Sequence, residues 1–248
     1  MMAESSHRAH GPIWARPEPT ARSPRFSRQQ IAKAALEIAD AEGLEAVSMR
    51  RIARSLGAGT MSLYRYIATK DDLLALIGDA LLGEALVPGD LPPDWLDAIA
   101  AVVRQTRRAY LRHPWAIQLV HRPGAVRAAL AGPNGLRHAE QSLSALSGAP
   151  MDDRTKLEVL AIVEDYGLGH LIRASGSTTE AAAAPVPTPD AALTADFIRS
   201  QLASGDFPQF AAVASAADVV EFTDPADLDA QFELGLELLL DGIASRFR

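Results

Sequence analysis

The chain has 248 residues, 48% of them hydrophobic, and no cysteine. That is enough apolar material for one large domain or two small ones, and it excludes a disulfide framework, thiolate zinc sites and a cysteine nucleophile. The net charge of −7 argues against a nucleic-acid partner when averaged, yet residues 1–70 carry 11 Lys and Arg against 6 Asp and Glu, while residues 71–248 carry 13 against 25. The pattern is a basic module on an acidic body. No apolar run approaches the roughly 18 residues of a membrane span. The first 25 residues lack the apolar core of a signal peptide, so a cytoplasmic protein with no membrane partner is expected.

Residues 1–24, with Pro12, Pro17, Pro19 and Pro24 and no apolar period, read as a disordered arm carrying a solvated Trp14. Helical signals then begin sharply. Ser27 and Gln30 have capping-box spacing, Phe26 and Ile31 staple spacing, and Ile31, Ala35 and Ile38/Ala39 form one face up to Gly43. Ser48 starts a second helix with Met49, Ile52, Ala53 and Leu56 inward. Gly57-Ala58-Gly59 breaks it, and a third short helix is predicted from about Thr60 to Ile67. Thr69 and Asp72 open a fourth, which connects to the body through about residue 87.

The body reads as helices only. Trp95, Ile99, Val102, Thr106 and Tyr110 share one face. Short helices are predicted after His113-Pro114 and from about Pro133 to Leu146, and a long buried one over 152–173. Residues 174–192, rich in Ala, Thr and Pro, are expected to be a flexible loop. One or two short helices fit between Leu193 and Val220. Asp224-Pro225 opens the last, with Pro in the first helical position. The fold class is all-α, with domains at 25–70 and 71–248.

Ser48 to Lys70 carries the functional signal: helix, glycine-containing break, helix, the pattern of a helix-turn-helix. Ile52, Leu56, Leu63 and Ile67 point inward in this reading, Ala53 allows close crossing, and Gly57 supplies a positive φ. The outward set is Thr60, Met61, Ser62, Tyr64, Arg65 and Tyr66, a polar, aromatic and cationic surface suited to base edges and phosphates.

These residues resemble the TetR family of transcriptional repressors: Gly43 to Ala53, Leu56-Gly57, Ser62 to Ile67, and Thr69 to Leu74. Arg112-His113-Pro114-Trp115 and the run Phe232 to Gly242 are similar to the subgroup of the tetracycline repressor. The resemblance implies a homodimer on a palindromic operator, released by a small molecule bound in the C-terminal body. It implies base or phosphate contact for Arg50, the start of the recognition helix at Thr60, Met61 and Ser62, phosphate contacts for Tyr64 and Tyr66, and a phosphate anchor for Lys70. Ile67 departs from the aromatic residue common in the wider family. Arg22, Arg25 and Arg28 are further candidates for phosphate contact from the arm.

A twofold dimer would set two recognition helices roughly 34–36 Å apart. Helices 152–173 and 225–247 are its candidate interface, with Gly235 and Gly242 permitting close approach. Trp95, Tyr110, Trp115, Tyr166 and His170 are candidates to line an effector pocket. Glu164 and Asp165 interrupt an apolar run, where charge needs a partner or solvent. No HxxxH or HExxH pair, GxSxG or GxxxxGK[ST] occurs, so no metal, cofactor or catalysis is expected. An all-helical enzyme or a protein-binding adaptor with an incidental helix-turn-helix is the alternative.

Overall fold

The computed structural model describes residues 11–19, 26–182, 189–214 and 225–247. Among the described residues there are twelve α-helices and no strand: α1 (Arg28–Glu42), α2 (Met49–Ser55), α3 (Thr60–Leu63), α4 (Lys70–Glu84), α5 (Trp95–Arg112), α6 (Ile117–Val120), α7 (Ala125–Leu130), α8 (Pro133–Ala145), α9 (Asp153–Ala182), α10 (Pro189–Ala203), α11 (Pro208–Ala214) and α12 (Pro225–Phe247). No helix among them is long and apolar enough to cross a membrane.

Local chemistry sets the first four helices. At α1 the Gln30 N–H donates to Ser27 Oγ at 3.1 Å, and the Ser27 N–H donates to Gln30 Oε1 at 2.8 Å. The same reciprocal cap closes on Thr69 and Asp72 at α4, which satisfies amide groups that a helix start otherwise leaves open. Ser48 caps α2 through the Arg51 N–H at 3.3 Å. Gly57 leaves α2 at φ 61°, a conformation that a side chain disfavours.

α4 is apolar nearly all round, and it is the central rod. Leu73, Leu74, Leu76, Ile77 and Leu81 are buried, and α4 packs against α1, α5, α7 and α8. Each such side chain contributes about 1.5–3 kcal/mol on full burial. Contact with α7 is so close that a Cβ added at Gly78 would lie 2.7 Å from Ala129 Cβ. Asp79, also buried, accepts the Asn134 and Gly135 N–H groups at 2.8 and 3.0 Å. It thus caps α8 from another helix. Burial lifts its pKa above the usual carboxylate value although these donors pull it down.

The chain divides into two compact units, Met1–Leu171 with Leu240–Arg248, and Ile172–Leu239. The division does not fall near residue 70, because α4 is core to the helices on both sides of that position. In the second unit, Arg173 of α9 donates to Gln231 Oε1 of α12 at 2.7 Å, and α10 lies against α11.

Three expectations need correction. Residues 174–182 continue α9 and residues 189–192 begin α10, so the expected 174–192 loop is helical at both ends; residues 183–188 lie outside the described residues. The arm is not solvated throughout. Ile13–Ala15 form a 3-10 turn, Ile13 is buried, and Trp14 Nε1 donates to the Ala128 carbonyl at 2.6 Å; residues 1–10 and 20–25 lie outside the described residues. The third predicted helix keeps regular α geometry only to Leu63, and residues 64–66 form turns.

Candidate functional site

The reading head is α1 to α3 with the start of α4. Its inner layer is Ile52, Ala53, Leu63 and Ile67, all 2% exposed or less; Leu56, also expected inward, is half-buried against that layer. This layer holds the outer surface without using it. Met61 is 79% exposed and Tyr64 49%, and Arg50, Arg65 and Lys70 are exposed. Thr60 and Ser62 are half-buried, and the Ser62 hydroxyl donates to the Gly59 carbonyl at 2.6 Å. Arg51 pairs with Glu42.

Tyr66 is the exception. Expected to point outward, it is 2% exposed and joins the head's core. The physical reason is the helix end: past Leu63 the Tyr66 and Ile67 N–H groups both reach back to the Leu63 carbonyl, at 2.9 and 3.1 Å. The tightened turn carries both side chains inward. The phosphate contact expected for Tyr66 is therefore withdrawn. Arg28 is likewise taken up internally. Its guanidinium donates to the Arg16 carbonyl at 3.0 Å, and burial lowers its pKa. Arg22 and Arg25 lie outside the described residues.

The body holds a cavity of about 200 Å³ between α4, α5, α7, α8 and α9. Its walls are mainly apolar, including Leu82, Ile99, Val102, Leu160 and Val163. Polar groups sit at two places. At one, Thr106 Oγ1 lies 3.0 Å from His138 Nε2, and the Ser142 hydroxyl donates to the His138 carbonyl at 2.9 Å. Burial lowers the pKa of His138, so its ring is held neutral and offers one donor and one acceptor. At the other are Arg107, Tyr110, Glu164 and Asp165. Burial, and then the neighbouring Asp165 charge, raise the Glu164 pKa; burial, and then Glu164, raise that of Tyr110.

Of the five expected pocket residues, Tyr110 alone lines this cavity. His170 is buried one step behind the wall, where Arg107 donates to its Nε2 at 3.3 Å. Tyr166, half-buried, lies between the lining residues Asp165 and Gly167. Trp95 is half-buried at the start of α5, outside the wall. Trp115 is drawn elsewhere: its Nε1 donates to Asp40 Oδ1 of the reading head at 2.7 Å. Thr106, His138 and Arg107 were not legible as site residues, because their partners are 32 and 63 positions away.

The arrangement supplies an exposed cationic and aromatic surface and a lined cavity. Among the described residues no group of three or more His, Asp or Glu could hold a metal ion.

Known proteins share this architecture. Residues 31–77 match the description "Bacterial regulatory proteins, tetR family", and residues 87–247 match "Tetracyclin repressor-like, C-terminal domain". An HTH-type transcriptional regulator of Saccharopolyspora erythraea is 34% identical over 97% of this chain and 94% of its own. The HTH-type transcriptional repressor DrrR1 of Streptomyces coeruleorubidus is 34% identical over 89% of this chain and 78% of its own. The crystal structure of the TetR family protein ActR of Streptomyces coelicolor in complex with actinorhodin has a TM-score of 0.64 and 28% identity, covering 90% of this chain and 97% of that one. With a family match over residues 87–247 and a relative at 34% identity along nearly its whole length, the chain belongs to the TetR family of transcriptional regulators.

Proposed function

We propose that this regulator is a homodimeric repressor that binds a palindromic DNA operator and releases it when a small, largely apolar molecule occupies the body cavity. One observation carries the reading: the head buries its inner layer completely and spends none of Arg50, Met61, Tyr64, Arg65 and Lys70 on that core. Arg50 and Arg65 read bases or phosphates, Thr60, Met61 and Ser62 enter the major groove, and Tyr64 and Lys70 anchor phosphates. Residues 25–70 act as the DNA-binding module and 71–248 as the sensing and dimerising one, in the cytoplasm. No observation favours an enzyme or an adaptor.

Dimerisation by α9 and α12 is supported by the apolar side chains that each leaves exposed: Leu157 and Ile162 on α9, Leu234 and Leu238 on α12. DrrR1 is named a repressor and ActR is seen with actinorhodin, which makes flat aromatic molecules the first effectors to test. The lining chemistry is compatible with them, with apolar walls and hydrogen-bonding groups at two places, while the volume of about 200 Å³ requires the walls to open for any but the smallest.

Selection of duplexes from a randomised pool tests the first half. It should yield an inverted repeat bound by two copies of the chain, with affinity falling steeply with salt. Unselective binding, or a monomer by light scattering at micromolar concentration, would sink it. Titration of that complex with a panel of aromatic molecules, actinorhodin included, tests the second half. Affinity for the duplex unchanged across the panel would remove the effector role.

A further inference from the structure

His113 stands where the reading head meets the rest of its unit. Its Nδ1 lies 2.6 Å from Asp40 Oδ1 of α1, and its Nε2 lies 3.1 Å from Glu84 Oε2 of α4. The residue itself is 7% exposed and follows the last residue of α5. Three elements therefore meet on one imidazole. Carboxylates only accept hydrogen bonds, so the ring donates to both only when both its nitrogens carry protons. The other charged group on this cluster is Arg112, whose guanidinium is 3.1 Å from the same Glu84 oxygen. Trp115 Nε1 donates to the same Asp40 oxygen at 2.7 Å.

We propose that His113 is a positioning residue whose protonation ties the reading head to α4 and α5, making DNA binding responsive to proton concentration as well as to an effector. This rests on the DNA-binding reading of the head. When the ring is charged, it bridges two carboxylates from different helices and holds α1 against α4 and α5. When it loses a proton, one nitrogen turns a lone pair toward a carboxylate. That contact changes from attraction to repulsion, while Trp115 keeps Asp40 and Arg112 keeps Glu84. The imidazole then donates to one carboxylate instead of two, and α1 and α4 are no longer joined through it. Burial works against the charged ring, but the hydrogen bonds and charges of Asp40 and Glu84 outweigh it, so the pKa stands above 6.5. The sign follows: the tie is complete below the ordinary histidine pKa and is lost as pH rises through the raised value. That interval can overlap the physiological range.

The test uses the full chain and His113→Gln, which removes the titration and keeps a polar side chain. Amide hydrogen exchange over residues 38–42 is measured without DNA from pH 6 to 8.5, corrected for intrinsic exchange. Affinity for a duplex selected by the wild-type chain is measured over the same range at constant salt. In the wild type, opening at 38–42 should rise with pH, by up to about tenfold per unit of pKa difference between tied and open forms. Duplex affinity should change over the same interval, and both transitions should be absent in His113→Gln. Glu84→Gln, which leaves Asp40 in place, should move the transition down by about one pH unit, and it serves if His113→Gln does not fold. The same exchange profile in wild type and His113→Gln would overturn the tie. An exchange transition lost in His113→Gln beside identical affinity profiles would overturn the regulatory role and leave a structural one. A clear exchange transition in a chain that selects no duplex would refute the DNA reading, not the tie.

Discussion

The reading head and the body cavity draw on similar side chains and use them in opposite ways. In the head, Tyr64 and Arg65 face solvent above a solid layer of Ile52, Leu63 and Ile67. In the body, Tyr110, Arg107 and His138 face a void lined by Ile99, Val102 and Val163. A duplex is long, charged and stiff, so a surface that meets it needs exposed cations and a rigid base. A small apolar molecule needs enclosure, and enclosure disfavours the charged forms of groups set into its walls. The head's exposed Arg50, Tyr64, Arg65 and Lys70 belong to the first regime, and the shifted Tyr110, His138 and Glu164 to the second.

The sharpest way to break this contrast is to make one substitution in both places. Ile52 and Ile99 are 0% and 1% exposed. Ile52→Ala should cost about 3–5 kcal/mol, near the upper end for a buried isoleucine, because its neighbours close on it from all sides. Ile99→Ala should cost less, about 2 kcal/mol, because part of its surface already borders empty space. Denaturant midpoints at one fixed protein concentration measure both. Equal losses would mean that the cavity wall is packed as tightly as the head.

Smaller effects concern function. Arg50→Ala should lose about 1–3 kcal/mol of binding to a selected duplex and relax its base preference. Competition assays with single-base variants read this directly, and undiminished discrimination would remove Arg50 from the interface. Lys70→Ala should weaken selected and unrelated duplexes alike and lower the slope of log affinity against log salt by about one unit. Loss confined to the selected duplex would reassign it to base reading.

The smallest expected effect is a pH dependence at the cavity. Glu164 has a raised pKa in the folded chain, so the folded state binds more protons than the unfolded state. Stability falls as pH rises from about 4.5, the ordinary value, through the raised one. Glu164→Gln should flatten that part of the profile and raise the melting temperature slightly at neutral pH. A lower melting temperature there would mean that the carboxylate has a cationic partner and is stabilised by it.

The head was largely legible from its residues because its determinants are local. Ser27 with Gln30, Ser48 with the Arg51 amide, and Thr69 with Asp72 act across three positions. The inward direction of Ile52, Ala53 and Leu63 follows from helix period. Tyr66 escaped that logic because its direction depends on α3 ending at Leu63, one turn earlier than its sequence pattern suggests. Trp115 escaped for a different reason. Its aromatic ring and indole N–H suited a pocket, but its partner Asp40 lies 75 positions away.

What the residues determined unaided were the starts of the first four helices, the break at Gly57, the basic character of the first 70 positions and the aliphatic run that becomes α4. Capping, backbone φ and charge balance act between near neighbours and need no partner element. Packing alone decided that Trp14 docks on Ala128, that Asp79 caps α8, that His113 bridges Asp40 and Glu84, and that Tyr110 rather than Trp115 faces the void. Each depends on which distant helix arrives opposite a side chain. Burial and hydrogen-bond partners are properties of that meeting, and no local period encodes them.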